Sequence, residues 1–132
     1  MTARDDTLVL VVDDEPVIRR VLRRTLERAS FRVIEAEHGA EALAIIRSGE
    51  HNVAALLSDV TMPIMGGVEL VEHVHRDAPG LPIVLASGLH GRAELTEQLG
   101  DRVHGYLEKP YTASSVVAVV TDALAGVQPA AP

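Results

Sequence analysis

The chain has 132 residues, no cysteine, no tryptophan, two tyrosines and one phenylalanine, and a formal net charge of −7 from 12 basic and 19 acidic side chains. That length admits one domain with a single core, too little for a catalytic domain joined to a DNA-binding domain, and the missing cysteine excludes a disulfide framework, a thiol nucleophile and a zinc–thiolate site. An acidic chain poor in aromatics suits neither nucleic acid nor an anionic membrane, no apolar run reaches bilayer length, and the mixed polar start at Met1–Asp6 is no signal peptide, so a soluble cytoplasmic protein is expected.

The first predicted strand, Leu8–Val12, is apolar at every position, as a strand covered on both faces is. It runs into Asp13-Asp14-Glu15. A helix is predicted over 16–29, with Pro16 suited to its first turn. At 100° per residue, Val17, Ile18, Val21, Leu22, Thr25, Leu26 and Ala29 share one half of the wheel. Arg19, Arg20, Arg23, Arg24 and Arg28 take the other half, with Glu27 the one acid among them. This basic face is either a solvated surface or a docking face for a partner with an acidic rim.

A second strand is expected at Phe31–Glu35 and a helix over 39–48. The third strand, Val53–Ser58, ends at Asp59, and a helix follows over 66–77. Pro82–Ala86 leads to Ser87-Gly88, with a helix over 91–99. Val103–Leu107 leads to Glu108-Lys109-Pro110, with a last helix over 112–125. On that helix Val116, Val117, Val119, Val120, Ala123 and Leu124 spread over roughly 160°. This is wider than a helix lying on a sheet requires, and Val117 and Val119 sit at the margins, at least one of them partly exposed. Core packing accounts for the spread; a self-association surface is the alternative. Residues 126–132, all Gly, Pro, Ala, Val or Gln, read as a tail or linker stub after a domain spanning 1–125.

Five strands alternating with five helices imply parallel pairing through right-handed crossovers, hence an open α/β sheet with helices on both faces. Such sheets bind ligands outside the carboxyl ends of their strands. Those ends deliver Asp13, Asp14, Asp59, Ser87 and Lys109 to one edge. Carboxylates crowded together raise one another's pKa, and a divalent cation removes the conflict. Mg²⁺ takes one or two carboxylates, a carbonyl and waters; Asp13 or Asp14, Asp59 and the Thr61 carbonyl supply that set. Each Asp alone could be an N-cap or turn residue; their joint placement points to a metal. Lys109 is the chain's one lysine beside eleven arginines, and a compact mobile charge suits a transferring phosphoryl group. The Ser87 hydroxyl can donate to a phosphoryl oxygen, or it can cap the loop that follows. The six histidines are scattered and form no metal-binding pattern; His73 and His75, two apart on a helix, do not share a face.

The segments Val11-Val12-Asp13-Asp14-Glu15, Ser58-Asp59-Val60-Thr61-Met62-Pro63-Ile64-Met65-Gly66-Gly67, Ala86-Ser87-Gly88 and Tyr106-Leu107-Glu108-Lys109-Pro110-Tyr111 together resemble a response-regulator receiver domain. The resemblance runs from about residue 7 to 125. It implies a doubly wound, flavodoxin-like sheet of order 2-1-3-4-5. It also implies that Asp59 accepts a phosphoryl group from a phosphohistidine on a sensor kinase or phosphotransfer protein. Asp13, Asp14, Asp59 and the Thr61 carbonyl would hold Mg²⁺, and Lys109 would pair with the phosphoryl oxygens. Ser87 would swing to the acyl phosphate, Tyr106 would turn into the space vacated, and Lys109–Pro110 would be a cis peptide. The fourth helix, fifth strand and fifth helix would present the switched surface to a downstream protein or a second copy. The kinase or phosphotransfer protein would dock near the arginine-rich first helix.

The chain departs from the family pattern in places. Gly66 stands where Asp or Asn is usual, and two glycines weaken the start of the third helix and could loosen the loop after Asp59. Ser87-Gly88 with Lys-Pro-Tyr is more similar to receivers attached to hybrid histidine kinases than to those fused to DNA-binding domains. Thr61 and Leu89 carry no amide or carboxylate to position water, so self-dephosphorylation should be slow. Other classes compete with the phosphorylated switch. An aspartyl phosphatase or phosphotransferase would want a second acid where Thr61 stands, and a substrate cap. A flavodoxin-like carrier would want a glycine- and hydroxyl-rich phosphate loop after the first strand. A receiver-like module that binds partners without phosphorylation would have no use for the acid, hydroxyl and lysine set. The chain is therefore expected to catalyse only its own phosphorylation and dephosphorylation.

Overall fold

A computed structural model describes residues 6–88 and 91–126. Strands β1 (Leu8–Val12), β2 (Arg32–Ala36), β3 (Val53–Asp59), β4 (Ile83–Ser87) and β5 (Gly105–Glu108) alternate with helices α1 (Pro16–Arg28), α2 (Gly39–Ser48), α3 (Gly67–Asp77), α4 (Arg92–Leu99) and α5 (Ala113–Leu124). The strands form one parallel sheet in the order β2-β1-β3-β4-β5. Each predicted element is present within two residues at either end. The largest shift is in the fifth strand: a 3₁₀ turn at Gly100–Arg102 precedes it, and the strand begins at Gly105 rather than Val103.

Period-2 alternation along buried strands splits the core into two layers. Leu10, Val12, Leu56, Leu85 and Tyr106 face α2, α3 and α4, where Ala42, Leu43, Leu70, Val71, Val74 and Leu95 meet them. Val9, Val11, Leu57, Val84 and Leu107 face α1 and α5, against Leu22, Leu26, Val116 and Val120. Every residue of β1 and β4 is buried, which is why those segments carry no polar alternation. Each such Leu or Val stabilises the fold by about 1.5–3 kcal/mol relative to exposure.

Helix starts follow from local donors and acceptors. Pro16 occupies the first position of α1, and its missing N–H is no loss there. Thr112 and Ser115 close a reciprocal capping box at α5, with bonds of 3.1 and 2.9 Å. His38 Nδ1 accepts the Glu41 N–H at 3.2 Å to cap α2.

The structure corrects the helical wheel of α1. Val17 and Val21 are 69% and 52% exposed. The Arg19 side chain is only 13% exposed and pairs with Glu35 of β2 at 2.9 Å; Arg23 joins the same carboxylate at 2.7 Å. The contact stripe is therefore turned away from the one that apolar residues alone define, because Glu35 draws two long cationic side chains toward the sheet. On α5, Val117 and Val119 are both partly buried against the core, as the wide apolar arc requires. Residues 127–132, most of the expected tail, lie outside the described residues.

Candidate phosphoryl and metal site

Strand register brings the site residues together. Val12 pairs with Ser58, Asp59 with Ala86, and Ser87 with Glu108. The ladder continues one step past the strands, from Val60 N to the Ala86 carbonyl at 3.1 Å and from Lys109 N to the Ser87 carbonyl at 2.9 Å. Asp13, Asp59, Ser87 and Lys109 thus end neighbouring strands of one sheet edge. The Lys109–Pro110 peptide is cis.

Asp13, Asp14 and Asp59 each offer a carboxylate oxygen within 4.8 Å of the others. Asp13 and Asp59 are buried, and Asp14 is exposed. Asp13 Oδ1 accepts the Glu15 N–H at 2.9 Å, and the Asp13 N–H donates to the Ala36 carbonyl at 3.2 Å. Burial pushes the Asp13 carboxyl up; the Glu15 bond opposes this, and the charge of Asp59 adds a smaller push. Desolvation, more than mutual repulsion, is therefore the main strain on Asp13. Tyr111 lies close enough to Asp13, Asp59 and Glu15 to feel them, and its hydroxyl is pushed up to about 12, chiefly by burial.

Lys109 Nζ donates to Asp59 Oδ1 at 3.0 Å, and the Val60 N–H donates to the same oxygen at 2.8 Å. Among the described residues, both donors fall on Oδ1. A cavity of about 560 Å³ opens beside them, lined by Asp59, Thr61, Ser87, Gly91, Glu94 and Lys109 among others. Ser87 Oγ is buried and has no hydrogen-bond partner, so it does not cap the following loop. A buried hydroxyl without a partner is costly, and here it lies in the wall of a cavity that a cationic side chain shares.

The loop after Asp59 turns back tightly at its glycines. The Gly67 N–H donates to the Val60 carbonyl at 2.8 Å. A Cβ at Gly67 would stand 2.5 Å from the Asp59 carbonyl oxygen, and one at Gly66 would stand 2.9 Å from the Val60 carbonyl oxygen. The pair lets the chain fold back against the strand that carries Asp59. Helix-propensity reasoning alone misses this close approach.

Tyr106 is 8% exposed with an unpartnered hydroxyl. The Arg92 guanidinium lies 5.3 Å from the centre of its ring and 3.6 Å from Glu108. Nothing in the sequence signalled Arg92, since its partners sit on another element. Leu89, expected together with Thr61 to leave water unpositioned, lies outside the described residues. Among the described residues no helix is long and apolar enough to cross a membrane.

Residues 9–121 match the family model of the response regulator receiver domain. The chain is 38% identical over 107 residues to a chemotaxis protein CheY homolog of Campylobacter jejuni, covering 79% of this chain and 82% of that protein. It is 34% identical over 117 residues to the transcriptional regulatory protein ResD of Bacillus subtilis, covering 89% of this chain but 48% of that one. Among solved structures, the response regulator TrrA of Thermotoga maritima, in complex with Mg²⁺-BeF, superposes with a TM-score of 0.79 at 28% identity. That match covers 89% of this chain and 98% of TrrA.

Proposed function

The chain belongs to the response-regulator receiver family, and on that premise we propose that Asp59 accepts a phosphoryl group from a phosphohistidine and that Mg²⁺ is held beside it. The observation that carries this reading is that Asp59, a lysine 3.0 Å from it and an unpartnered buried hydroxyl line one cavity, while Asp13 and Asp14 each bring a carboxylate oxygen within 4.8 Å of the Asp59 carboxylate.

In the reaction, an Asp59 carboxylate oxygen attacks phosphorus while the P–N bond to imidazole breaks. The bonding pair stays on the ring nitrogen, which leaves as neutral histidine after taking up a proton. Lys109 and the Val60 N–H hold Oδ1, so the carboxylate is oriented before the donor arrives. Lys109 then has a second acceptor in the phosphoryl oxygens, as a mobile point charge should. Ser87 donates its free hydroxyl to the same group. Asp13, Asp14, Asp59 and the Thr61 carbonyl would hold the cation; Asp13, raised by burial, is favoured in its charged form by a neighbouring positive charge. Bound there, Mg²⁺ supplies charge neutralisation between acids and phosphoryl oxygens. Catalysis is positioning and electrostatics, confined to the protein's own phosphorylation and its reversal. With Thr61 offering no carboxylate or amide to water, the acyl phosphate should be long-lived.

The switch runs through Ser87 and Tyr106 to the face made by α4, β5 and α5. A groove of about 750 Å³ there, lined by Arg92, Tyr106, Glu108, Ser115, Val119 and Asp122 among others, is the surface we assign to a downstream protein or a second copy. Exposed Val17 and Val21 of α1, with Arg20 and Arg24 exposed on the same helix, suit the kinase or phosphotransfer protein better than a purely basic face would. Work of this kind belongs in the cytoplasm.

The test is incubation with phosphoramidate or acetyl phosphate plus Mg²⁺, followed by intact mass. One phosphoryl group adds about 80 Da. The gain should need Mg²⁺ and be absent in Asp59→Asn. A gain that survives Asp59→Asn would overturn the assignment.

A further inference from the structure

Arg19 reaches two elements at once. Its Nη1 donates to the Asp13 carbonyl oxygen at 2.7 Å, and its Nε donates to Glu35 Oε1 at 2.9 Å. Its side chain is 13% exposed, so this is no solvent-facing pair of the weak kind. Glu35 is itself anchored by Arg23 Nη1 at 2.7 Å. The sequence α1–β2 thus builds a brace whose tip rests on the peptide between the two consecutive acids, Asp13 and Asp14.

That peptide is planar, so fixing its carbonyl fixes the direction in which the chain leaves Asp13 and enters Asp14. Asp13 is then held at its N–H by Ala36, at its carboxylate by the Glu15 N–H, and at its carbonyl by Arg19. Asp14, exposed and next in the chain, depends on this peptide for its aim.

We propose that Arg19 is a positioning residue for the metal-binding acids: its guanidinium fork, held by Glu35, orients the Asp13–Asp14 peptide so that both carboxylates can serve one divalent cation. This rests on the metal-site reading above. Two effects of Arg19 oppose each other. As a positive charge bonded to the Asp13 carbonyl it disfavours a second cation; as a brace it preorganises the ligands. Glu35 offsets the charge without removing the fork, because its carboxylate takes both Arg19 and Arg23. Partners outside the ligand set typically govern metal affinity by tenfold or more, so preorganisation should win.

The experiment is calorimetric titration of the unphosphorylated protein with Mg²⁺ alone, for the wild type, Arg19→Gln and Arg19→Lys, with thermal melts in EDTA to establish that each variant is folded. Both variants should bind Mg²⁺ about tenfold more weakly. Arg19→Lys keeps the charge but has no planar fork to serve two acceptors; wild-type affinity in that variant would show that the fork is not needed and would overturn the inference. Equal or tighter binding by Arg19→Gln would overturn it as well, since loss of a nearby cation alone tightens Mg²⁺. A wild-type protein that takes up no Mg²⁺ sinks the metal-site reading and this inference with it; a wild type that binds, beside an Arg19→Gln variant that binds as well, sinks this inference alone.

Discussion

Gly67→Ala sets helix propensity against close packing at the residue where α3 begins. By propensity the change should help, because alanine in a helix is favoured over glycine by up to about 1 kcal/mol. By packing it should hurt. The added Cβ would lie 2.5 Å from the Asp59 carbonyl oxygen and 3.0 Å from Val60 Cα. Even an attractive carbon–oxygen contact needs about 3.3 Å, so backbone must move by roughly 0.8 Å, and no flexible side chain can yield instead. Overpacking against rigid neighbours costs about 1–3 kcal/mol. Subtracting the propensity gain leaves a net loss of about 0–2 kcal/mol, centred near 1 kcal/mol. With a urea slope near 1.5 kcal/mol/M, the midpoint should fall by roughly 0.7 M. Gly80→Ala is the control: nothing lies within 4 Å of its added Cβ, and it should be neutral or gain a few tenths of a kcal/mol from the stiffer unfolded chain. Because the clash is with the nucleophile's own backbone, Gly67→Ala should also slow phosphorylation by phosphoramidate by on the order of tenfold to a hundredfold. Equal urea midpoints for the two variants would refute the packing argument. A fallen midpoint with an unchanged phosphorylation rate would show that α3, and not the Asp59 strand end, gives way.

Two further outcomes follow from buried polar groups. Ser87→Ala removes a hydroxyl that has no partner, so the unphosphorylated protein should be as stable as the wild type or more so by up to about 1 kcal/mol; a loss beyond that in urea would mean the hydroxyl is bonded after all. His104 should impose a pH dependence on stability. Its Nδ1 accepts the Ile83 N–H at 3.0 Å, while the His104 backbone N–H donates to the Ile83 carbonyl at 2.7 Å. Burial, with a smaller push from His75 and against the pull of Asp101, holds the imidazole below its usual 6.5. A histidine with a lowered folded-state pKa contributes stability that is complete above the unfolded value and is lost as pH falls through the folded one. Urea midpoints measured from pH 7.5 down to pH 5 should therefore decline more steeply for the wild type than for His104→Asn, whose amide oxygen accepts the same bond without titrating. Parallel declines would refute the role given to His104.

What the sequence made legible, and what it did not, divides along a physical line. Leu8–Val12 and Pro82–Ala86 are readable because strands covered on both faces must be apolar throughout, and their carboxyl ends are readable because the polar residues begin there at once. Asp13, Asp14, Asp59, Ser87 and Lys109 are therefore placed at one edge by the sequence pattern alone. The order β2-β1-β3-β4-β5 was not in the periodicity; it came with the family resemblance carried by those motifs. Contacts between elements were out of reach. Arg19 and Glu35 are 16 residues apart, and no helical wheel knows that an acid at the end of the neighbouring strand will turn an arginine inward and leave Val17 and Val21 outside. The close approach at Gly66 and Gly67 is out of reach for the same reason, since propensity describes an isolated helix while the Asp59 carbonyl decides what fits beside this one. The two contacts have a common consequence. Residues that look like departures or decoration in the linear sequence lie against the two strand ends that carry the acids: the glycines hold the Asp59 end close, and Arg19 grips the Asp13 carbonyl. A carboxylate cluster that is partly desolvated can persist only if its backbone is held on every side, because free to relax the acids would part and rehydrate. The side chains that do the chemistry are thus legible from their type and position, whereas the groups that hold them in place are defined by distances, and only the folded chain supplies those.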